Sequence, residues 1–520
     1  TDEAERSPEE RDTVGIWKQI PRFIRFFGFP LGFFSALILG GLAFLNTWDV
    51  LIHLFVIVGA FLLARWRDAG WSSRIVAESL LVTGLLLIPA VLFYLPFFLG
   101  FRSQAGAPYL LPMLMRPTRL AQFLIIFGMP LWVIFIFLIA LVVRQRFRFW
   151  QSGMMAALGL IIGLLVVALL FGFIVAVSAE GAARVAALAS ELGVSLEPRP
   201  DQPFAFSWAV PSIAAILPSY LNARISYPAL TLLLAVIVGM VIMVWREKLG
   251  AEVDARKAGI SNSPITQDVL PFVLLLIATG ALLTIGPEFV FLRDNFGARL
   301  NTIFKFYYQA WVMFGVSALY AIGYLWLAWR GSKRVVPAIA TAGYAVALLV
   351  AILFPILAVN SRASEYRGSA TAPERQSATL DGLAQMARFN PGDYAAVQWL
   401  RENEAGTPVV LEAVGGQYTG YGRISAATGL PTLLGWAGHE YQWRGDTPEP
   451  AVREPVVRDI YSEPNMQNIA DLLDRYDVRY IVVGGLERDT YGIPGMDKFS
   501  ENLNAAFESN GVTIYRWQPQ

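Results

Sequence analysis

Residues 154–177 read MMAALGLIIGLLVVALLFGFIVAV, an apolar stretch without a single charged side chain. A helix of about 20 apolar residues crosses a hydrocarbon core of roughly 30 Å. A helix that is apolar on every side fits a membrane better than a water-facing surface. This stretch therefore predicts a membrane-spanning helix.

Similar stretches recur through most of the chain. Of its 520 residues, 55% are hydrophobic and only 16% are charged, whereas a soluble protein of this size needs more polar surface. The composition predicts a polytopic α-helical membrane protein with about nine spans, of which the second is short. The predicted spans are 26–45, 50–64, 75–99, 119–143, 154–177, 228–245, 269–286, 309–329 and 335–359.

Composition also excludes several kinds of site. The net charge of +1 argues against a nucleic-acid partner. The absence of cysteine excludes disulfides, thiolate metal sites and cysteine nucleophiles. The only histidines, His53 and His439, are too few for a multi-histidine metal cage.

Lysine and arginine cluster in alternate connections between the predicted spans. With nine spans, all the clusters fall on one side, which the positive-inside rule assigns to the cytoplasm. We therefore expect a multi-pass protein of the cell membrane with a cytoplasmic N-terminus, and everything after Ala358 outside. The clusters lie at 11–25, 65–74, 144–148, 246–257 and 330–334.

The predicted outer side carries the longer loops, 46–49, 100–118, 178–227 and 287–308. In the third loop, Ser178 is expected to cap a helix over 181–192, with Glu180 near its positive end. Residues 207–221 are apolar but interrupted by Pro211 and Pro218. They predict an interfacial or re-entrant helix rather than a tenth span.

The composition becomes polar after Asn360, which predicts a separate C-terminal α/β domain outside the cell. Helix and strand patterns alternate there and indicate a small parallel or mixed sheet with helices packed on it. The VVGG sequence at 482–485 is interpreted as a turn after a strand, because no phosphate-loop pattern follows. The predicted regions are a cytoplasmic segment 1–25, a membrane domain 26–359, a linker 360–390 and an α/β domain 391–520, with helices from Pro391 and over 466–476 and 497–508, and strands over 407–413, 478–485 and 512–517.

The first candidate site is the sequence Asn46-Thr47-Trp48-Asp49 between two spans, followed by His53 one helical turn beyond Asp49. A carboxylate at a membrane boundary is costly unless it has a partner or a function. Asp49 with His53 could be a general base or a ligand for a divalent cation. The alternative is that Asp49 caps the second span and pairs with His53.

The second candidate site lies within 287–308. Three cations occur there on the predicted outer side, where cations are normally rare. Asn301, Lys305 and Tyr308 are spaced for one helical face, which suits the phosphate or pyrophosphate of a lipid-linked group. The alternative is an internal ion-pair network that joins Glu288 to Arg293 and Asp294 to Arg299. The candidate binding residues are Glu288, Arg293, Asp294, Arg299, Asn301, Lys305 and Tyr308, together with Trp48 from the first site.

The third candidate site is the sequence 435–444, GWAGHEYQWR, in the C-terminal domain. Its aromatic, histidine and charged residues are typical of a sugar-stacking or anion-binding surface. The alternative is a buried loop anchor. The candidate residues are His439, Glu440, Trp443 and Arg444.

The same three segments carry a family resemblance. NTWD, LRDNFGARLNTIFKFYYQAW and TGLPTLLGWAGHEYQWRG resemble segments of the prokaryotic YYY family of membrane proteins, which is similar in layout to the GT-C glycosyltransferases. Such enzymes transfer a sugar from a polyprenyl-phosphate donor on the outer face and use an acidic residue in an external loop. The resemblance implies that Asp49 is the acid/base or metal-associated residue, that Arg293, Arg299 and Lys305 hold the donor phosphate, and that 435–444 meets the acceptor.

The chain also departs from the family pattern. It lacks the family's N-terminal membrane half, which carries a Glu-Lys-x-Met-Asp-like acidic loop and the tyrosine triplet, and it lacks a later Gly-Asp-Leu-His segment. The first residues, from Thr1, do not form a signal peptide. We therefore expect a C-terminal portion of a longer protein or one half of a split one, with the missing half as a partner. If the acidic residue of the family lies in that half, Asp49 is a supporting residue and this chain alone is inactive.

The leading hypothesis is thus a glycosyltransferase that uses a polyprenyl-phosphate-linked sugar, with a divalent cation as the cofactor to test. The alternative is a non-catalytic scaffold or assembly subunit whose external domain binds a partner. A transporter is the least favoured, because two related halves with broken helices are not visible. The glycosyltransferase hypothesis predicts that Asp49, Arg293, Lys305 and His439 converge on one cavity of roughly 300–1,000 Å³.

Overall fold

The computed structural model describes residues 20–101, 110–112, 117–257, 269–293, 298–367, 379–444 and 448–518. The chain forms two compact units. Unit 1 ends at Leu357 and contains most of the apolar helices, and unit 2 begins at Ala358.

Unit 1 is built from long helices, eight of which are long and apolar enough to cross a membrane. The chain is therefore a polytopic α-helical membrane protein, as the composition predicts. The eight helices are α2 (Asp49–Ala69), α3 (Ser73–Phe93), α5 (Leu120–Arg144), α6 (Trp150–Val177), α9 (Ala229–Lys257), α10 (Leu270–Ile285), α11 (Leu300–Ala328) and α12 (Val335–Arg367).

The first predicted span, 26–45, corresponds to helix α1 (Ile20–Leu45), which is not among these eight. Gly28 has a φ of +65° inside α1, and Pro30 follows it. A left-handed residue and a proline both interrupt the hydrogen-bond ladder of a helix. The continuous apolar helix is therefore the shorter segment Pro30–Leu45.

Two further boundaries differ from the predicted ones. The predicted span 75–99 is broken at Tyr94, and a short helix α4 (Leu95–Gly100) follows, because Pro96 has no N–H to donate to the carbonyl four residues earlier and its ring clashes with that carbonyl. The predicted span 309–329 belongs to α11, which begins at Leu300. The polar residues 301–308 are thus the first turns of a long helix rather than a loop.

The connections of unit 1 fall into two groups. One group meets at what we call the loop-rich end: the strands β1 (Leu110–Pro112) and β2 (Val290–Leu292) pair antiparallel there, with Leu110 opposite Leu292. The other group meets at what we call the arginine-rich end. There Arg246 donates to Ser152 across 2.6 Å and Arg144 lies 5.8 Å from the centre of the Trp329 ring. Within the described residues, the predicted outer loops 100–118 and 287–308 thus meet at one end, and the cations that follow the predicted fourth and sixth spans lie at the other, while which end faces the cytoplasm stays a prediction.

Two more helices belong to the loop-rich end. Helix α7 (Ala179–Glu191) begins after Ser178, whose side chain accepts from the backbone N–H of Gly181 at 3.1 Å, as predicted. Helix α8 (Phe206–Ser226) contains both interrupting prolines and is not among the eight helices apolar enough to cross a membrane. Its buried Trp208 and Ile216 pack against α6 and α7.

Unit 2 contains a mixed four-stranded sheet of order β3-β4-β6-β5, with helices and connecting segments packed on both faces. The first two strands are parallel and the other neighbours are antiparallel. The strands are β3 (Val409–Leu411), β4 (Val478–Val483), β5 (Ala505–Ser509) and β6 (Val512–Arg516), and the helices are α13 (Leu383–Phe389), α14 (Pro391–Asn403), α15 (Arg423–Thr428), α16 (Ala437–Arg444), α17 (Glu449–Ser462), α18 (Met466–Arg475), α19 (Gly485–Tyr491) and α20 (Asp497–Asn502).

The predicted helix over 497–508 is wrong in its second half. Helix α20 ends at Asn502, and residues 505–509 form β5, which pairs with β6. The turn between these strands is Asn510-Gly511, with φ angles of +47° and +76°. Positive φ at both central residues is the geometry of a tight hairpin, for which Asn-Gly is the preferred sequence.

Single-cysteine variants test which end of unit 1 faces outward, because the chain has no cysteine of its own. Glu191 at the loop-rich end and Lys333 at the arginine-rich end are both exposed. In intact cells, a membrane-impermeant maleimide is expected to label Glu191→Cys and to leave Lys333→Cys unlabelled. Both variants should be labelled in permeabilised cells. Labelling of Lys333→Cys alone in intact cells would contradict the orientation.

Candidate functional site

The most buried charge of unit 1 is Glu288, whose side chain has no exposed surface. Its Oε2 accepts from the backbone N–H of Thr118 at 2.7 Å. Its Oε1 accepts from the Thr118 hydroxyl at 2.7 Å and from Nη1 of Arg299 at 2.6 Å. A buried carboxylate is tolerated only when such partners replace its water. Glu288 therefore fixes the segment before α5 to the segment before α11.

A second arginine completes this group, which we call the Glu288 clamp (Thr118, Arg224, Glu288 and Arg299). Arg224, at the end of α8, donates to the backbone carbonyl of Glu288. Its guanidinium lies 4.5 Å from the ring centre of Phe289. The clamp thus joins three connections of the loop-rich end through one residue.

The clamp differs from the ion-pair network considered from the sequence. Glu288 pairs with Arg299, and Arg293 pairs with Glu180 at the start of α7. Asp294 lies outside the described residues. The sequence analysis missed Thr118 and Arg224. Arg224 could have been found by the same signal as the other cations here, since it also lies on the predicted outer side.

In the first candidate site, the start of α2 lies against the start of α11. Nζ of Lys305 lies 5.2 Å from the centre of the Trp48 ring, within range of a cation–π interaction. Nε2 of His53 is 3.1 Å from Oε1 of Gln309, so His53 has Gln309 as a hydrogen-bond partner in place of the expected Asp49. Gln309 was missed because nothing in the sequence pairs it with a residue 256 positions away.

Asp49 is the first residue of α2, where its charge is favourable beside the positive end of the helix. The preceding residue, Trp48, makes no side-chain capping bond. One carboxylate oxygen of Asp49, Oδ1, is buried and has no hydrogen-bond partner among the described residues. A buried carboxylate oxygen without a partner is unfavourable, so this atom is a candidate for contact with a ligand; Oε2 of Glu247, on α9, is the other buried carboxylate oxygen of the described part of unit 1 without a partner.

An apolar groove with a volume of about 780 Å³ runs along the first turns of α11 beside Ile126 of α5. Asn301 and Tyr308 line it, as expected for residues on one helical face. Lys305 does not line the groove, because its side chain is directed to Trp48. The lining residues are Ile126, Leu300, Asn301, Ile303, Phe304, Tyr307, Tyr308 and Trp311.

A divalent cation would find few ligands here. Within the described ranges, no three His, Asp or Glu side chains lie close enough together to hold a metal ion. At the start of α2 the possible donors are Asp49 and a histidine that is hydrogen-bonded to Gln309. One carboxylate is a poor donor set for a hard cation, which takes six or more oxygen ligands.

The third candidate site contains a cluster of three rings in unit 2. The Tyr418, Trp436 and His439 ring centres lie 4.9 to 5.3 Å apart. Nε1 of Trp436 donates to the backbone carbonyl of Tyr421 at 2.7 Å, and Nε2 of His439 is buried without a hydrogen-bond partner in the described part of the chain. Glu440 and Arg444 form an ion pair on the next helical turn. The side chain of Trp443 lies outside the described residues.

Unit 2 also contains a buried network of charges. Arg423 donates to both carboxylate oxygens of Glu487 at 3.0 Å and to Asp393 at 2.8 Å. Glu412 accepts from the backbone N–H groups of Ile424 and Ser425 at 2.9 and 2.8 Å. The network therefore joins the segment after β3 to the segment after β4.

The two buried glutamates respond differently to burial. Burial raises the pKa of Glu412 even though two backbone N–H groups donate to it. Burial also acts to raise the pKa of Glu487, but the hydrogen bonds and charge of Arg423, with the backbone N–H groups of Ala413 and Gly484, hold that pKa below its usual value. Glu487 is thus the ionised partner of Arg423. The predicted turn at VVGG is the N-cap of α19, at Gly484.

Comparison with known proteins concerns mainly unit 1. The family model described as "Uncharacterized membrane protein (DUF2298)" matches residues 9–314. The chain belongs to this DUF2298 family. The matched range contains Asp49, the Glu288 clamp and Lys305, and it ends before unit 2. No curated protein and no solved structure matches the chain.

The candidate sites of this DUF2298 protein are distributed over both units. In unit 1, Trp48, Asp49, His53 and Lys305 lie around the adjoining ends of α2 and α11, while Glu288 and Arg299 belong to the clamp. In unit 2, His439 and Glu440 lie beside Tyr418 and Trp436. Convergence of His439 with Asp49 on one cavity stays a prediction.

The charge network of unit 2 predicts a large effect of Arg423→Met. Loss of Arg423 leaves buried Glu487 and Asp393 without their cation, which typically costs about 3–5 kcal/mol. Hydrogen exchange of the β4 amides in the full chain measures the free energy of opening of unit 2. Arg458→Met, which removes an exposed arginine of α17, is the control and should change this free energy by less than about 0.5 kcal/mol. Equal effects of the two substitutions would contradict the role of Arg423.

The same network predicts loss of stability in acid. A carboxyl group with a lowered pKa stabilises the folded state above its ordinary pKa of 4.5, and this contribution is lost as the pH falls through the folded-state value. Glu412, whose pKa is raised, has the opposite effect on the pH dependence of stability. It is present in both wild type and Glu487→Gln, so it does not affect the difference between them. Glu487→Gln should therefore be less stable at neutral pH and lose less stability on acidification. Parallel pH curves of wild type and variant, from exchange of the β4 amides, would contradict this assignment.

Proposed function

We propose that this protein is a membrane glycosyltransferase that uses a polyprenyl-phosphate-linked sugar at the loop-rich end of unit 1. The observation that carries the proposal is the buried, unpartnered Oδ1 of Asp49 beside the Lys305–Trp48 pair. The resemblance to the YYY family and to the GT-C layout supports it. The proposal assigns the loop-rich end to the outer face of the cell membrane, with the N-terminus in the cytoplasm.

The groove beside α11 supports a lipid-linked donor. Its lining is mostly aromatic and aliphatic, and it runs along a helix that is long enough to cross the membrane. Lys305 lies in the same first turns of α11, on the side directed toward Trp48. In our proposal the polyprenyl chain lies in the groove, and the ammonium of Lys305 attracts the phosphate.

The proposed reaction exchanges one bond to the anomeric carbon of the sugar for another. The bond from this carbon to the phosphate oxygen breaks, and its electron pair leaves with polyprenyl phosphate. A hydroxyl oxygen of the acceptor bonds to the same carbon, and its proton passes to the carboxylate of Asp49, which acts as a general base. Lys305 stabilises the charge that develops on the leaving phosphate. No step requires a metal ion.

The Glu288 clamp acts in this proposal as a positioning group. Arg299 and Glu288 are engaged with each other and with Thr118, so they are assigned to holding the start of α11 and not to the donor. Arg293 pairs with Glu180, which lies on the neighbouring connection. The phosphate-binding assignment therefore rests on Lys305.

The test is transfer of label from a labelled polyprenyl-phosphate hexose by the purified chain. Asp49→Asn should reduce the rate of transfer by about 100-fold or more, since a positioned general base contributes roughly 10²–10⁴. Lys305→Met should weaken donor binding and raise KM. Lys333→Met, which removes an exposed lysine at the arginine-rich end, is the control and should leave transfer unchanged. Transfer that survives Asp49→Asn would contradict the assignment of Asp49 as the general base.

A second candidate function is a non-catalytic scaffold or assembly subunit. The internal pairing of Glu288, Arg299 and Arg293 favours it, because these charges stabilise the fold and leave less for a substrate. Absence of transfer with every lipid-linked donor, in a protein that is folded and inserted, would favour this function over the enzyme.

A further inference from the structure

The ring cluster of unit 2 lies where small parallel sheets bind ligands. β3 and β4 are parallel, and their carboxyl ends lead into the segments that carry Tyr418, Tyr421 and Glu487. Ligands of open α/β sheets bind outside the carboxyl ends of parallel strands. The position in the sheet therefore indicates a ligand site, independently of which residues occupy it.

Tyr418 is the exposed member of the cluster. Its side chain is 71% exposed, and its backbone has a φ of +59°, which is uncommon for a residue other than glycine. An exposed aromatic ring in a strained backbone conformation is unfavourable for stability alone. Both features favour a functional role for the Tyr418 ring.

The neighbouring groups make the cluster rigid. Trp436 is held by its hydrogen bond to the carbonyl of Tyr421, and the hydroxyl of Tyr421 lies 3.1 Å from Oγ1 of Thr490 on α19. The ring of Tyr421 packs against Gly415, where a Cβ atom would come within 2.4 Å of it. Trp436 is therefore positioned before any ligand arrives, which lowers the entropic cost of binding.

The geometry limits the kind of ligand. Ring centres 4.9 to 5.3 Å apart are in mutual contact and leave no space between them for a cation. A ligand must instead lie on the outer surface of the cluster. The adjacent Glu440–Arg444 pair is electrically neutral, so neither an anion nor a cation is favoured there.

A hexose ring fits these conditions. One face of a pyranose is made of C–H groups that stack on an aromatic ring, and its edge carries hydroxyl groups. Nε2 of His439 has no hydrogen-bond partner among the described residues, and the side chain of Gln417 is exposed beside Gly438. The exposed Gln417 supplies hydrogen bonds at the edge of this apolar surface, whereas Nε2 of His439 is buried and lies out of reach of a ligand on the outer surface.

We propose that unit 2 binds neutral hexose oligosaccharides on the surface formed by Tyr418, Trp436 and His439. In the proposed function this surface would hold the acceptor, but the binding itself does not require sugar transfer. The site adds Tyr418, which lies outside the candidate sequence 435–444, to Trp436 and His439.

The test uses the full chain in lipid nanodiscs, which avoids detergents with sugar head groups, and an array of neutral gluco-, manno- and galacto-oligosaccharides. Wild type is expected to bind at least one of them. Tyr418→Asn should weaken that binding by about tenfold or more, because it removes the ring while Asn tolerates a positive φ. Tyr418→Phe keeps the ring and should bind within about twofold of wild type. Phe389→Asn, which removes another exposed aromatic ring of unit 2, is the matched control and should bind like wild type.

His439→Gln is a second variant that leaves the Tyr418 ring in place and is also expected to weaken binding. Exchange of the β4 amides verifies that each variant is folded. Asp49→Asn should bind oligosaccharides like wild type even though it loses transfer, so the two proposals fail separately. Absence of binding to every member of the array, or wild-type binding by folded Tyr418→Asn and His439→Gln, would overturn the proposal.

Discussion

Unit 1 depends on how one buried carboxylate is neutralised. Glu288 has no contact with solvent, so it must keep the hydrogen bonds from Thr118 and Arg299. These bonds fix the point at which α11 begins, and Arg224 ties the end of α8 to the same place. Because Lys305 and Gln309 lie on the first turns of α11, their positions opposite Trp48 and His53 follow from the clamp.

Unit 2 also contains a buried charge that must be neutralised, but there the central charge is a cation. There a buried arginine, Arg423, pairs with Glu487, which follows β4, and with Asp393 in the first turn of α14. This charged group stabilises the fold of unit 2. The rings of Tyr418, Trp436 and His439 form the surface proposed to bind the ligand. Each unit also contains a buried polar atom of a candidate site that has no hydrogen-bond partner among the described residues: Oδ1 of Asp49 in unit 1 and Nε2 of His439 in unit 2.

The sequence predicts the features that depend on local composition. Lipid exposure demands long apolar helices, so eight spans and the capped helix after Ser178 could be predicted. The choice of ion-pair partner could not, because Glu288 and Thr118 are 170 positions apart and meet only through packing. The hairpin at Asn510-Gly511 was missed for a different reason: the helical pattern before it was extended across a recognisable turn.

The order of the strands in unit 2 constrains when its sheet can form. β6 follows all the other strands in the chain, yet it lies between β4 and β5 and pairs with both. While the ribosome is still making residues before Val512, β4 has β3 as its only neighbour and β5 has none. The sheet is therefore completed only after Arg516 has emerged from the ribosome, so unit 2 cannot finish folding while its last strand is still being made.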